Sequence, residues 1–180
     1  MIELRKVTPK NFYEVALELK VTKEQEEFIG SNSFALASAF VDLTNKEIPP
    51  IVFAIYYEDK PVGLVEMGYY QLSPDSFLSK KFGDKATYGI NHLMIDQKFQ
   101  GKGIGKQAMS KIIDYLKTAP LGQADAISLS YWYENNDARK FYAAVGFKET
   151  GDIWDGDSFE TWDSTRTDFD LAEVGARLAL

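Results

Sequence analysis

Three glycines within five residues join a β-prone segment to an amphipathic helix, and this junction limits the fold more than any other part of the chain. Gly101, Gly103 and Gly105 follow a β-prone run at residues 88–95. A glycine loop before a helix offers backbone N–H groups and the positive end of the helix dipole to a phosphate. Beyond the glycines, apolar residues at every fourth position predict a helix over residues 103–117 that packs on a sheet: Ile104, Ala108, Ile112 and Leu116.

The glycine spacing does not match the two common nucleotide-binding loops. A Walker loop requires a glycine five residues before Gly105 and a serine or threonine after Lys106, but Gln100 and Gln107 stand there. A dinucleotide fingerprint that starts in this cluster requires a glycine at the position of Lys106. A glycine-rich turn without a ligand stays open, because a glycine cluster alone is a weak signal.

Composition excludes several classes of function. The absence of cysteine excludes disulfides, thiolate metal sites and an acyl-cysteine intermediate. A net charge of -7 disfavours nucleic acid and anionic membranes as partners and fits either solubility or a cationic substrate. No segment reads as a signal peptide or a membrane span, so we expect a cytoplasmic protein. A length of 180 residues predicts one domain over residues 1–180.

Local patterns predict alternating helices and strands along the chain. The first strand ends before Thr8-Pro9, which predicts a helix to about residue 20. Thr22 and Gln25 form a capping box for a second helix. The other expected elements are a helix at 33–42, a hairpin at 51–57 and 62–70, an irregular loop at 72–85, a strand at 126–131, a helix at 136–145, a strand from 147 and a last strand at 158–167.

A second block of residues, 134–147, adds specificity to the glycine loop. Alone, this block reads as a helix capped by Asn135 or Asn136 and ending at Gly146. Together the two blocks resemble the GNAT N-acetyltransferase superfamily. Its Gln/Arg-x-x-Gly-x-Gly/Ala motif is matched by Gln100, Gly103 and Gly105, and its Asn-x-x-Ala-x-x-x-Tyr-x-x-x-Gly-Phe motif by Asn135, Ala138, Tyr142, Gly146 and Phe147.

The resemblance implies a mixed α/β (α+β) fold, with a central, mostly antiparallel sheet of six or seven strands flanked by helices. It implies acetyl-coenzyme A as cosubstrate, no metal, and direct attack by an amine in a ternary complex. Tyr142 is then the acid for the departing thiol, and the N–H near Met94 stabilises the oxyanion. The residues it places beside coenzyme A are Leu93, Met94 and Ile95 at the pantetheine arm, Gln100, Gly101, Lys102, Gly103, Ile104, Gly105 and Lys106 at the pyrophosphate, and Asn135 and Arg139.

The amine needs a base, because an alkylammonium with a pKa of about 10 is protonated at neutral pH. Glu66 is the candidate, since strand alternation places it on one face with Leu64 and Gly68. An exposed strand glutamate without a catalytic role stays open. His92 is the only histidine, and we expect it to be a packing or rim residue, because no serine elbow or cysteine accompanies it.

The N-terminal helices are similar to those of bacterial spermine/spermidine acetyltransferases, through the pattern Gln-x-x-Phe-Ile-x-x-Asn-x-x-Ala-Leu-Ala-x-Ala-Phe at residues 25–40. Ala35 and Phe40 replace the serine and tyrosine typical of that subfamily, so both lack a hydroxyl. The likeness implies a polyamine acceptor. Carboxylates suited to a cationic amine are Glu26, Glu27, Glu66 and the acidic segment 152–157, and the aromatic faces are Phe40 and Trp154.

Several alternatives stay open at this stage. The acceptor could be another small amine, an aminoglycoside or a protein N-terminus, and the donor could carry an acyl group longer than acetyl. A coenzyme A-binding module without catalysis is a further alternative. A homodimer is compatible with the exposed edge strands expected in a mixed sheet.

Overall fold

A single seven-stranded sheet forms the centre of the computed structural model, which describes residues 1–154 and 173–180. The strands are β1 Ile2–Lys6, β2 Ile51–Tyr57, β3 Lys60–Gln71, β4 Ala86–Ile95, β5 Ala126–Trp132, β6 Lys148–Trp154 and β7 Glu173–Ala179, and the helices are α1 Asn32–Asn45, α2 Phe77–Phe82, α3 Ile104–Leu116 and α4 Asn136–Ala144. The strand order is β1-β2-β3-β4-β5-β7-β6, and β4 with β5 is the parallel pair among antiparallel neighbours. This confirms the expected mixed, mostly antiparallel sheet.

The first N-terminal helix begins where the sequence predicts, and the second is shorter than expected. The Phe12 N–H donates to the Thr8 carbonyl at 2.8 Å, the Val15 N–H donates to the Asn11 carbonyl at 3.0 Å, and a π-helical turn follows at Glu14–Glu18. The Asn11 side chain supports this start, because it accepts from the Thr8 N–H as in a capping box and also donates to the Lys6 carbonyl. The second helix is a single 3₁₀ turn at Lys23–Gln25.

Two further expectations about secondary structure are wrong. The segment expected to be an irregular loop contains α2, which the Ser76 hydroxyl caps by accepting from the Ser79 N–H and which ends at Gly83 with φ of 76°. The C-terminal segment, where no strand was expected, forms β7 between β5 and β6. The strand expected at residues 158–167 lies outside the described residues.

Apolar contacts hold helices on both faces of the sheet. Ile112 and Leu116 of α3 are buried on one face. On the other face, Ala35 of α1 packs with Leu64 and Met94. The alternation of β3 and β4 therefore turns every second side chain toward α1. No helix within the described ranges is long and apolar enough to cross a membrane.

Strands β4 and β5 separate after a short stretch of pairing. Only Thr87, Tyr88 and Gly89 of β4 are paired with β5, while β4 continues to Ile95. A wedge therefore opens between the carboxyl-terminal halves of the two strands. The glycine loop and the N-terminus of α3 follow the end of β4 after a single 3₁₀ turn, Gln97–Phe99.

Strand β7 is tied to the body of the protein by a buried ion pair. Two of the guanidinium nitrogens of Arg177, Nε and Nη2, donate to the two carboxylate oxygens of Asp84 at 2.6 Å. The Asp84 side chain is 2% exposed, and the Arg177 guanidinium also lies 4.8 Å from the centre of the Phe82 ring. This bidentate pair joins the end of α2 to the strand beside β5.

Candidate active site

The wedge between β4 and β5 opens into one large cleft of about 1650 Å³. This volume exceeds the roughly 300–1,000 Å³ typical of small-ligand pockets, so it could hold a long cofactor and an acceptor together. Residues of α1, β3, β4, β5, α4 and the glycine loop line it. The predicted site residues among them are Glu66, Leu93, Met94, Ile95, Gln100, Gly101, Gly103, Gly105, Lys106, Asn135 and Tyr142.

The glycine loop presents bare backbone to this cleft. Gly103 is the N-cap of α3 with φ of 74°, and Gly101 has φ of 71°, a left-handed conformation that glycine adopts without strain. No described side chain caps the N-terminus of α3. A Cβ at Gly101 or Gly103 would meet no described atom within 4 Å, so the loop is open toward the cleft.

These features fit the pyrophosphate of coenzyme A. The N–H groups of an uncapped first helical turn and the helix dipole favour an anion. The side chain of Gln100 fixes the start of the loop, because its Nε2 donates to the Ile95 carbonyl at 2.8 Å and to Gln25 Oε1 at 2.9 Å. Main-chain groups of β4 beyond its paired residues face the wedge, where a pantetheine arm could extend beside the strand.

Three residues predicted to bind coenzyme A do not line the cleft. Ile104 is the first residue of α3, and its side chain is buried in the core. The Lys102 ammonium donates to the Lys98 carbonyl at 2.7 Å. The Arg139 guanidinium pairs with Glu149, its Nε lying 2.7 Å from Oε1. For Lys102 and Ile104 the resemblance implies a role of the backbone N–H, which does not depend on where their side chains lie. A role for the Arg139 side chain has no support from its position.

Tyr142 of α4 reaches the cleft from within an aromatic cluster. Its ring stacks on Tyr131 at a centroid distance of 5.7 Å and contacts Phe141 and Phe147 edge-on. Burial raises the pKa of Tyr142 above its ordinary value, and the neighbouring Tyr131 adds to the shift. The phenol therefore stays protonated at neutral pH and can donate a proton.

Glu66 is buried rather than exposed. Its side chain is 4% exposed, and Nδ2 of Asn91 donates to its Oε1 at 3.0 Å. Asn91 is the extra residue of a β-bulge, because Glu66 is paired with His92 while the next β3 residue is paired with Ile90. Burial raises the pKa of Glu66, which strengthens it as a base.

His92 is a buried wall residue of the cleft, not a rim residue. Its Nε2 lies 2.9 Å from Oδ1 of Asn32, and Nδ2 of Asn32 donates to the Val15 carbonyl at 2.7 Å. The Asn32 oxygen is therefore the acceptor, so His92 carries its proton on Nε2. Burial lowers the pKa of His92 to about 4, and the imidazole is neutral at neutral pH.

The residues predicted to hold the acceptor are not brought together. Glu26, Glu27 and Phe40 lie outside the cleft lining, and Phe40 is 64% exposed on α1. Trp154 ends β6, and its side chain and the acidic residues 155–157 lie outside the described part of the chain. Three other residues, Asp42, Tyr70 and Asn91, line the cleft near Glu66.

Sequence reasoning missed the polar residues that shape this site. Gln25 and Asn32 belong to the N-terminal pattern, but their partners on the glycine loop and on β4 are far away in sequence. Asn91 carried a usable signal, because asparagine is uncommon inside strands. Among the described residues, no group of three or more His, Asp or Glu side chains could hold a metal ion.

The left-handed N-cap gives a prediction for cofactor binding. We expect Gly103→Ala to raise the dissociation constant for coenzyme A roughly tenfold, since a Cβ at φ of 74° costs about 1–2 kcal/mol and displaces the loop. Gly83→Ala is the matched control, because Gly83 has φ of 76° but lies outside the cleft lining. Isothermal titration calorimetry with coenzyme A measures both, and equal affinities in the two variants would contradict the prediction.

Comparisons with known proteins agree with this geometry. A model of the acetyltransferase (GNAT) family matches residues 16–147. A Bacillus subtilis (strain 168) protein named spermine/spermidine N(1)-acetyltransferase is 29% identical over 152 residues, which cover 84% of this chain and 91% of the relative.

Solved structures share the fold at low identity. An acetyltransferase from Thermus thermophilus matches with a TM-score of 0.62 and 17% identity, covering 100% of this chain and 97% of its own. A chimera built on the spermidine N-acetyltransferase of Vibrio cholerae also has a TM-score of 0.62 and 17% identity, covering 99% and 94%.

Proposed function

The chain belongs to the acetyltransferase (GNAT) family, and from this premise we propose that it transfers an acetyl group from acetyl-coenzyme A to a primary amine of a polyamine such as spermidine or spermine. Family membership makes it an acetyl-coenzyme A-dependent N-acetyltransferase. The observation that carries the proposal is that a buried carboxylate, Glu66, and a protonated phenol, Tyr142, line the same cleft as the glycine loop.

The proposed reaction is a direct transfer. The amine nitrogen attacks the thioester carbonyl carbon, a C–N bond forms and the C–S bond breaks. Glu66, directly or through water, receives the proton that leaves the amine, and Tyr142 gives a proton to the departing thiolate. The N–H near Met94 would stabilise the oxyanion between these steps. The uncapped N-terminus of α3 would hold the pyrophosphate.

The choice of a polyamine is supported by two observations and is open to a simple test. The Bacillus subtilis relative is named for spermine and spermidine. The part of the cleft lined by Asp42, Glu66, Tyr70 and Asn91, which we call its acceptor end, contains two carboxylates. Thiol release from acetyl-coenzyme A should depend on added spermidine or spermine and be weaker with an aminoglycoside, a peptide N-terminus or a simple monoamine. Turnover with other amines alone would discard the polyamine, and cofactor binding without turnover would favour a non-catalytic module.

Replacing Glu66 should separate activity from stability. We expect Glu66→Gln to lower kcat by roughly 100-fold, because the amide cannot accept the proton. The free energy of unfolding at neutral pH should stay equal or rise, since burial disfavours the ionised carboxylate. Acetyl transfer assays and urea unfolding measure the two effects.

The pH dependence of the acetyl transfer rate tests the direction in which the pKa of Glu66 is shifted. A carboxyl whose pKa is raised in the folded state loses its proton at a higher pH, so the acidic limb of the wild-type rate should lie above the ordinary glutamate value of about 4.3. Glu66→Gln should lack this limb. Glu18→Gln, an exposed change outside the cleft lining, is the control, and an unchanged rate in Glu66→Gln would exclude the base.

Four broader expectations belong to the same proposal. We propose that residues 1–180 act as one domain, that the protein works in the cytoplasm, and that a homodimer is compatible with the fold. Acetyl rather than a longer acyl group is the proposed donor. Sedimentation of the purified protein and a panel of acyl-coenzyme A donors test the assembly and the donor.

A further inference from the structure

An ammonium group of the protein itself, that of Lys46, lies against two residues of the cleft lining, Asp42 and Tyr70. Lys46 follows the last residue of α1, and its Nζ lies 2.7 Å from Oδ2 of Asp42. The same Nζ lies 5.7 Å from the centre of the Tyr70 ring. Asp42 and Tyr70 both line the cleft, so an amine-binding arrangement faces the space where the acceptor would enter.

Tyr70, the aromatic residue beside this ammonium, is connected to Glu66 by hydrogen bonds. The Tyr70 hydroxyl donates to Oδ1 of Asn91 at 3.1 Å, and the amide of the same asparagine donates to Glu66. Tyr70 and Glu66 are therefore linked through one side chain. The charges of Asp42 and Lys46 both act on the pKa of Glu66, so the pair lies within electrostatic reach of the candidate base.

We propose that Asp42 and the ring of Tyr70 bind a second ammonium group of the acceptor, and that the Lys46 ammonium competes for this position when no such group is present. The inference rests on the proposed function and deepens it, because it assigns a specificity site to residues outside the N-terminal pattern. A carboxylate with an aromatic face is a chemical match for an alkylammonium. An acceptor with one amine would leave the Lys46–Asp42 pair intact, whereas a diamine or polyamine would displace it.

Displacement has a small energetic cost. Side chains of Lys46 and Asp42 are 49% and 22% exposed, and exposed ion pairs separated by four residues on a helix contribute little to stability. An incoming ammonium would replace one charge by another on Asp42. The released Lys46 side chain would regain its hydration and its rotamer freedom.

The test compares α,ω-diamines with n-alkylamines of the same chain length in a steady-state acetyl transfer assay. We expect Asp42→Asn to raise the KM of the preferred diamine roughly tenfold and to change the KM of the matched monoamine much less. Lys46→Met should lower the KM of the diamine, because Asp42 is then free. In the Asp42→Asn background, Lys46→Met should have no further effect.

Controls on α3 match the charge changes. Asp114→Asn and Lys111→Met alter exposed residues outside the cleft lining, so both should leave the diamine preference unchanged. Equal effects of Asp42→Asn on diamines and monoamines would overturn the inference and leave acetylation of polyamines, and hence the proposed function, intact.

Failure of the proposed function is distinguished by binding. If no polyamine is acetylated, calorimetric titration of the coenzyme A-saturated protein with the same amines decides the inference. Diamine binding that is lost in Asp42→Asn supports the site. Absence of diamine binding, or binding unchanged in Asp42→Asn, overturns it.

Discussion

Tyr142→Phe is expected to lower kcat for acetyl transfer by roughly 100-fold or more, because the departing thiolate loses its proton donor. The ring contacts with Tyr131, Phe141 and Phe147 persist in the variant, so the fold should be retained. The KM for acetyl-coenzyme A should change little, since the glycine loop is untouched. Steady-state thiol release over a range of acetyl-coenzyme A concentrations measures both parameters.

The pH profile distinguishes an acid from a structural residue. The protonated phenol is the active form, and burial raises its pKa, so wild-type activity should persist to a higher pH than an ordinary tyrosine would allow. In Tyr142→Phe this alkaline limb should disappear. Tyr131→Phe is the control. It removes a hydroxyl that donates to Glu149 but keeps the ring that stacks on Tyr142. Equal activities of Tyr142→Phe and wild type would remove the acid from the mechanism.

Asp84→Ala is expected to lower the free energy of unfolding by about 3–5 kcal/mol, because it leaves the Arg177 guanidinium largely buried without its carboxylate. Natural domains are stable by only about 5–15 kcal/mol, so the variant would be close to unfolding at physiological temperature. Urea unfolding followed by circular dichroism measures the loss. The shape of the cleft should also be disturbed, because β7 lies beside β5 and β5 contributes to the lining of the cleft.

An exposed ion pair and a double variant act as controls. Asp75 pairs with Lys80 at 3.2 Å but is 91% exposed, so Asp75→Ala should have little effect. Adding Arg177→Met to Asp84→Ala should restore part of the lost stability, because the unpaired charge is removed as well. A loss in Asp84→Ala no larger than in Asp75→Ala would show that the buried pair contributes no more than a surface pair.

The structure shows which of the many acidic residues line the cleft. Of the carboxylates predicted to meet the amine, Glu66 lines the cleft, whereas Glu26 and Glu27 lie outside its lining. Asp42, which was not predicted, also lines it. A net charge of -7 gave no information about which carboxylates face the substrate. Helix α1 contributes Asp42 to the lining of the cleft. Its Asn32 accepts a hydrogen bond from His92, which also lines the cleft.

The sequence by itself determined the parts of this protein that depend on neighbouring residues. Strand propensity and the four-residue spacing of apolar side chains were sufficient for β2 to β5 and for α3. The glycine positions and the block containing Tyr142 were sufficient for the family and for the loop beside the cleft, because a loop that binds through its backbone is encoded by local glycines.

Only the tertiary structure decided the features that join distant parts of the chain. The bulge at Asn91 is accompanied by the hydrogen bond from the Asn91 amide to Glu66. Burial in the assembled fold raises the pKa of Glu66, against the effect of that hydrogen bond. Strand β7 pairs with β5 and β6, and its Arg177 pairs with Asp84, 93 residues earlier in the chain. Register and burial arise from contacts that form when the whole sheet assembles, so no local pattern in the sequence specifies them.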